Sequence, residues 1–365
     1  MYLSKFTIFF LCLNLASALT IHAQNQFLSN KNISFLPHYG FVLKNKLETS
    51  HLSDQHPYGI ELEYLIQTTG SENWQRAYNN PAYGLSLQYW WFDPAKRLGN
   101  QFGLIFFFKG YIYKSHSSAI TYRIAGGGGL VGKRFDLFQN TSNNLLSSKA
   151  NFVLNGRIAY EQKLSTRLKS QLGVDLLHFS NGSIKMPNGG INIPNLFAGL
   201  QYSLAKPAHS IQATPVPRQR YWLLMLVAAG GSKQEYPVTS SNHPIGAISV
   251  YGGRQLNHKS VIIAGAELFY DGTKRVWLDS GETLSPRKLL QAGIIAGHEL
   301  SIHKISIITH LGYTFYKPVS INPGLYQRYG LRYYLWPQLA VNVAMRAHLG
   351  RADFVEWGLT YRLIK

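Results

Sequence analysis

His178 and Ser180, separated by one residue, carry the clearest chemical possibility in this 365-residue chain. They stand in the segment Leu176-Leu177-His178-Phe179-Ser180-Asn181-Gly182-Ser183-Ile184-Lys185-Met186-Pro187-Asn188-Gly189-Gly190-Ile191-Asn192. If the residues up to Ser180 form a strand, both side chains leave the same face, about 7 Å apart at Cα. An imidazole placed there can take the hydroxyl proton, which is what a serine nucleophile needs from an adjacent base. Continuing the alternation backwards puts Val174 and Leu176 on the His/Ser face, with Gly173 and Asp175 opposite. The polar pair therefore interrupts an apolar face. A plainer explanation is two polar residues ending a strand before an Asn/Gly/Pro-rich loop, and spacing alone leaves both open.

Other candidates carry less. Gly126 to Gly129 has neither GxGxxG spacing nor a following helix, so close packing in a strand is expected rather than a nucleotide site. His298, Glu299 and His303 lack metal-ligand spacing on one strand face. The only cysteine, Cys12, falls within an N-terminal stretch with Lys5, an apolar run from Phe6 to about Leu19, and Ile21-His22-Ala23. That pattern reads as an export signal over residues 1–23, leaving the mature chain without a disulfide or thiolate site. Lys and Arg number 36 against 17 Asp and Glu, but they are scattered with no basic run, which excludes a nucleic-acid partner and favours an anionic membrane surface.

The elements that must position the pair follow from period-two alternation. Tyr58, Ile60, Leu62 and Tyr64 oppose Gly59, Glu61 and Glu63, while Val355, Trp357, Leu359, Tyr361 and Leu363 oppose Glu356, Gly358, Thr360 and Arg362. The segments run about 10 to 14 residues, as tilted membrane-crossing strands do, and Tyr, Trp and Phe edge their apolar faces. An all-β, antiparallel transmembrane barrel of the outer membrane is therefore expected. Eight strands are expected before the Pro-containing linker 206–219, near 34–43, 57–68, 82–92, 101–114, 118–131, 151–164, 166–180 and 193–204. Six to eight more follow within 220–365, including 259–271, 286–300, 302–316, 325–335, 338–349 and 352–364. Arg328, Arg332, Asn342, Arg346, Glu356 and Arg362 share one face, which favours one wide barrel of 14 to 16 strands. The alternative is an eight-stranded barrel over 24–205 beside a second barrel-like half. With a periplasmic N-terminus, His178 and Ser180 lie at the outer end of the seventh strand, facing lipid.

The block HFSNGSIKMPNGGIN at 178–192 resembles the active-site signature of the lipid A 3-O-deacylase (PagL-like) family of outer-membrane esterases, also called acyloxyacyl hydrolases. The wider resemblance covers about residues 24 to 205, including SENW at 71–74 and NPAYGLSLQY at 80–89, and nothing beyond the linker. It implies His178 as catalytic base, Ser180 as nucleophile and Asn181 as an oxyanion partner. The family's glycine N–H for the oxyanion falls on Ser183, after Gly182. The family's histidine-orienting glutamate falls on Asn192, an amide that can fix the tautomer but cannot stabilise the imidazolium by charge. The implied partner is lipid A of the outer leaflet, with no cofactor or metal, and a homodimer is a further expectation. A passive channel and a non-catalytic surface barrel remain the other classes.

Overall fold

The computed structural model describes residues 29–44, 47–93, 97–206, 220–277, 285–319 and 323–364. The expected export signal, with Cys12, lies outside the described residues, as do linker residues 207–219. The first eight strands are β1 Lys31–Gly40, β2 Tyr58–Gln67, β3 Ala82–Trp91, β4 Gln101–Lys114, β5 Ser118–Val131, β6 Ala150–Lys163, β7 Leu168–Ser180 and β8 Ile191–Ser203. Each pairs antiparallel with the next, and β1 pairs with β8, so the sheet closes. The second eight are β9 Tyr221–Gln234, β10 Asn242–Gln255, β11 Ser260–Asp271, β12 Leu290–Ile302, β13 Ile305–Tyr316, β14 Leu325–Tyr334, β15 Leu339–His348 and β16 Arg351–Ile364. They close through β9 and β16.

The antiparallel barrel reading holds, and its two-barrel alternative is the arrangement realised. The single wide barrel is corrected: the sixteen strands of the described residues form two closed barrels of eight. The reason lies in the arginines read as lining a broad lumen. An eight-stranded barrel has an interior just wide enough for side chains to fill. Arg332 spends its guanidinium on Glu299 at 2.5 and 2.6 Å, and Arg328 bonds Glu267 and Glu356. The first barrel is built the same way, with Arg123 and Arg157 buried among Glu61, Glu63 and Asp175, and Lys109 on Glu161 at 2.8 Å. Charges this deep persist only when paired. Filled lumens of this kind also remove the basis for a wide passive channel.

Outside, the alternation presents apolar side chains. Leu62, Tyr64, Leu172, Val174 and Leu176 are exposed on the first barrel, Trp357, Leu359 and Tyr361 on the second. The glycine run serves packing: a Cβ on Gly127 would run into the Leu104 carbonyl oxygen, and one on Gly129 would fall 2.6 Å from Phe179. Strand ends match the sequence pattern closely in the first half. In the second, β12 starts at Leu290 because Pro286–Leu289 winds into a single 3-10 turn.

Connections are unequal at the two ends. At the end where β1 begins, β4–β5 and β6–β7 are tight turns and 68–81 is a longer connection, whereas the other end carries the excursions 132–149 and 181–190. The barrels touch at both ends. The connection 68–81, with helix α1 at Asn73–Ala77, meets the β12–β13 turn through Tyr78 Oη–H donating to the Ser301 carbonyl at 2.7 Å and Trp74 against His303 at 5.5 Å. At the other end, Phe152 of β6 meets Trp357 of β16, ring centroids 6.0 Å apart.

Candidate active site

Strand β7 carries His178 and Ser180 on its outward face, and the register with its neighbours explains their surroundings. Asn192, second residue of β8, lies directly across from His178, while Leu154 and Phe152 of β6 stand across from His178 and Ser180. Directly opposed residues bring their Cβ atoms within about 5 Å, so three polar groups meet on one patch of wall. His178 Nε2 is 2.9 Å from Ser180 Oγ, and His178 Nδ1 is 2.6 Å from Asn192 Oδ1. With the amide oxygen turned to the ring, Nδ1 carries the proton and Nε2 is left to accept from the serine hydroxyl. That order of contacts, hydroxyl to imidazole to orienting group, is the arrangement of an activated serine.

The site is shielded without being enclosed. Ser180 is 8% exposed, although it shares its face with Leu176 at 49%. The 181–190 connection folds back onto this face at His178. Gly190 sits at φ +72° against the imidazole, and a Cβ there would lie 2.8 Å from His178 Cε1. Its N–H donates to the Leu145 carbonyl at 2.9 Å, and that of Gly189 to the Asn144 carbonyl at 3.2 Å. The 132–149 excursion therefore anchors the loop from one side.

Asn181 and Ser183, the two residues expected at the oxyanion, are placed beside the pair but are differently engaged. The Asn181 side chain is buried; its Nδ2 donates to Ser147 Oγ at 3.1 Å and the Lys185 carbonyl at 2.9 Å. Both amide hydrogens are thus used to organise the loop, and the Asn181 N–H donates to Asn188 Oδ1 at 3.1 Å. Gly182 at φ +63° and Ser183 at φ +67° form the centre of a tight turn closed by the Ile184 N–H to the Asn181 carbonyl at 3.3 Å. Two successive left-handed residues are the signature of a type I′ turn. Ser183 bonds through its hydroxyl and carbonyl, to Ala352 and Gln234, which leaves the backbone N–H groups of Gly182 and Ser183 as the donors nearest Ser180 in sequence.

Sequence reasoning missed Gly190, Ser147 and Asn188 as parts of the site. The Gly189-Gly190 pair just before a strand was the available signal for a close approach; Ser147, at the end of a long loop, offered none. His38, Glu61 and Asp175 place ligand-type atoms within 4.8 Å of one another inside the first barrel. Arg123 and Arg157 already bond that carboxylate set, and His38 Nδ1 is 2.8 Å from Asn195 Oδ1. Two guanidinium groups in contact with the same oxygens repel a cation, so the cluster is a structural ion network.

Comparison with known proteins bears on both barrels. Residues 58–201 match the family model described as lipid A 3-O-deacylase (PagL), and residues 221–365 match that described as acyloxyacyl hydrolase, C-terminal domain. The second half, about which the sequence resemblance implied nothing, thus has its own family counterpart. No curated protein matches. Among solved structures, two mutant forms of the Rhodopseudomonas blastica porin are each similar at 9% identity and TM-score 0.20, covering 91% of this chain and 100% of theirs. The chain belongs to the lipid A 3-O-deacylase (PagL) family of carboxylic ester hydrolases and carries that family's acyloxyacyl hydrolase C-terminal domain as its second barrel.

Proposed function

We propose that the protein is an outer-membrane serine esterase that removes an acyl chain from lipid A, with Ser180 as nucleophile, His178 as general base and Asn192 as the group that orients it. The observation that carries this reading is the unbroken chain of contacts from Ser180 Oγ to His178 Nε2 and from His178 Nδ1 to Asn192 Oδ1, on an outward apolar wall of a chain in a lipid A deacylase family. His178 Nε2 takes the hydroxyl proton as Oγ attacks the ester carbonyl. The tetrahedral oxyanion is met by the backbone N–H groups of Gly182 and Ser183, since those of Asn181 and Ile184 are bonded within the loop. On collapse the sugar oxygen leaves with the proton from Nε2, and a water, deprotonated by the same nitrogen, frees the fatty acid. Asn192 holds the ring and its tautomer throughout but adds no charge to the imidazolium.

The tilted strands of 10 to 14 residues, their apolar outer faces and the family support insertion in the outer membrane, with the end that carries 132–149 and 181–190 outward. An ester bond near the headgroups of the outer leaflet then lies at the depth of Ser180, and the chain's excess of Lys and Arg suits an anionic headgroup. Mass spectrometry of lipid A from cells expressing the wild type and Ser180→Ala tests this. Loss of one acyl mass with the wild type alone is the expected result; an identical, unmodified profile from both, with folded protein in the membrane, removes the proposal.

A further inference from the structure

The loop that packs on His178 is held by both barrels. Besides its anchors to the 132–149 excursion, it has four hydrogen bonds that cross to the C-terminal barrel from three residues, Ser183, Ile184 and Met186. Ser183 Oγ–H donates to the Ala352 carbonyl at 3.0 Å, and Gln234 N–H donates to the Ser183 carbonyl at 3.3 Å. Met186 N–H donates to Gln234 Oε1 at 2.7 Å, and Asn242 Nδ2 donates to the Ile184 carbonyl at 2.9 Å. Gly182 packs so closely on Val355 that a Cβ there would run into its Cγ2.

Gln234 is the centre of this contact. It is buried at the end of β9, and its Nε2 donates to the Val238 and Ser240 carbonyls at 3.0 and 2.7 Å. Its own barrel thus fixes the amide with the oxygen turned to Met186. The turn it supports is one that needs support. Ser183 is a non-glycine residue in the left-handed region, a conformation that L side chains rarely adopt, and both its hydroxyl and its carbonyl are tied to the second barrel.

We infer that the outer ends of β9, β10 and β16 are part of the ester-cleaving site, with Gln234 and Asn242 as positioning residues that fix the backbone of 182–186 beside the nucleophile. The inference rests on the serine esterase reading. It gives the C-terminal barrel a task in catalysis: the first barrel supplies the reacting side chains, and the second holds the turn whose N–H groups meet the oxyanion.

The test uses the full chain in detergent micelles with p-nitrophenyl decanoate as probe, alongside deuterium exchange of the 181–190 segment. In Gln234→Ala the exchange of the Met186 amide accelerates and kcat falls roughly tenfold, the size of one lost buried hydrogen bond, while KM stays near the wild-type value. Asn242→Ala, at an exposed position where folding is undisturbed, moves both readouts the same way by a smaller amount. Wild-type turnover that survives Ser180→Ala sinks the esterase reading itself. Turnover that depends on Ser180 but is the same in folded Gln234→Ala and Asn242→Ala sinks only the role of the second barrel.

Discussion

The two barrels are alike inside and different outside. Each lumen is closed by buried ion pairs built on two arginines, Arg123 and Arg157 in one, Arg328 and Arg332 in the other. Only the N-terminal barrel brings a hydroxyl, an imidazole and an amide together on its outer wall, among the described residues, where β7 and β8 meet. On the C-terminal barrel the corresponding outward face of β16 offers Trp357, Leu359 and Tyr361. The contrast teaches that ionisable residues in this fold are mostly interior packing, and that chemistry is to be sought where a polar group breaks an apolar face. His38 and His178 make the point within one barrel. Both have an amide oxygen on Nδ1, but His38 Nε2 meets Glu61 at 3.0 Å in the lumen, and His178 Nε2 meets a serine on the wall.

Substitutions can break this comparison or sharpen it. The largest effect is expected of Ser180→Ala, with kcat lowered at least about 10³-fold and thermal stability nearly unchanged, read from micellar ester hydrolysis and a melting curve. Arg157→Leu and Arg332→Leu should do the reverse. Each strands buried carboxylates and costs about 3 to 5 kcal/mol of stability, measurable by denaturant titration, with turnover per folded molecule unaffected. A lumen variant that keeps its stability but loses turnover would break the division between interior and wall.

Gly190→Ala comes next. A methyl group pressed on the imidazole at a left-handed backbone position should displace His178 and lower kcat by roughly 10²-fold, with little loss of global stability, as activity and denaturation of the same sample will show. Asn192→Asp sharpens the comparison in the opposite direction. A carboxylate beside Nδ1 stabilises the imidazolium that forms during attack, so kcat should rise, by up to about tenfold; a fall would show that the amide is the better partner here. The smallest effect belongs to Ser183→Gly, which relieves the left-handed strain but removes the hydroxyl bonded to Ala352. These terms are each about 1 kcal/mol and opposite in sign, so stability measured by thermal denaturation should move little.

Much of this was legible in sequence, for reasons that differ by residue. His178, Ser180 and Asn192 sit within fifteen residues, so strand register alone delivers their contacts once β7 and β8 are recognised. Alternation located β2 to β8 almost to the residue because lumen and wall differ sharply in polarity there. It did not locate β9, whose Leu223, Met225 and Val227 point inward while Leu224 and Leu226 point outward, so both faces are apolar. In β10, Pro244, Gly246, Gly252 and Gly253 dilute the pattern. Closure into two barrels was also hidden. It depends on β1 meeting β8 and β9 meeting β16, pairings between distant segments that the period of a single strand does not encode. The partners of the 181–190 loop, Gln234 and Asn242, are single polar residues with no local signature.

The position of Ser180 on the outer wall, away from either filled lumen, sets how substrate would arrive. For an enzyme seated in a bilayer with its nucleophile on that face, encounter is a two-dimensional search: lipids reach the site by sliding within the leaflet. The governing variable is then the mole fraction of substrate in the surface, not its bulk concentration. Added inert amphiphile would slow the reaction by dilution alone, and a stiffer, more tightly cation-bridged leaflet would slow it without touching a single side chain.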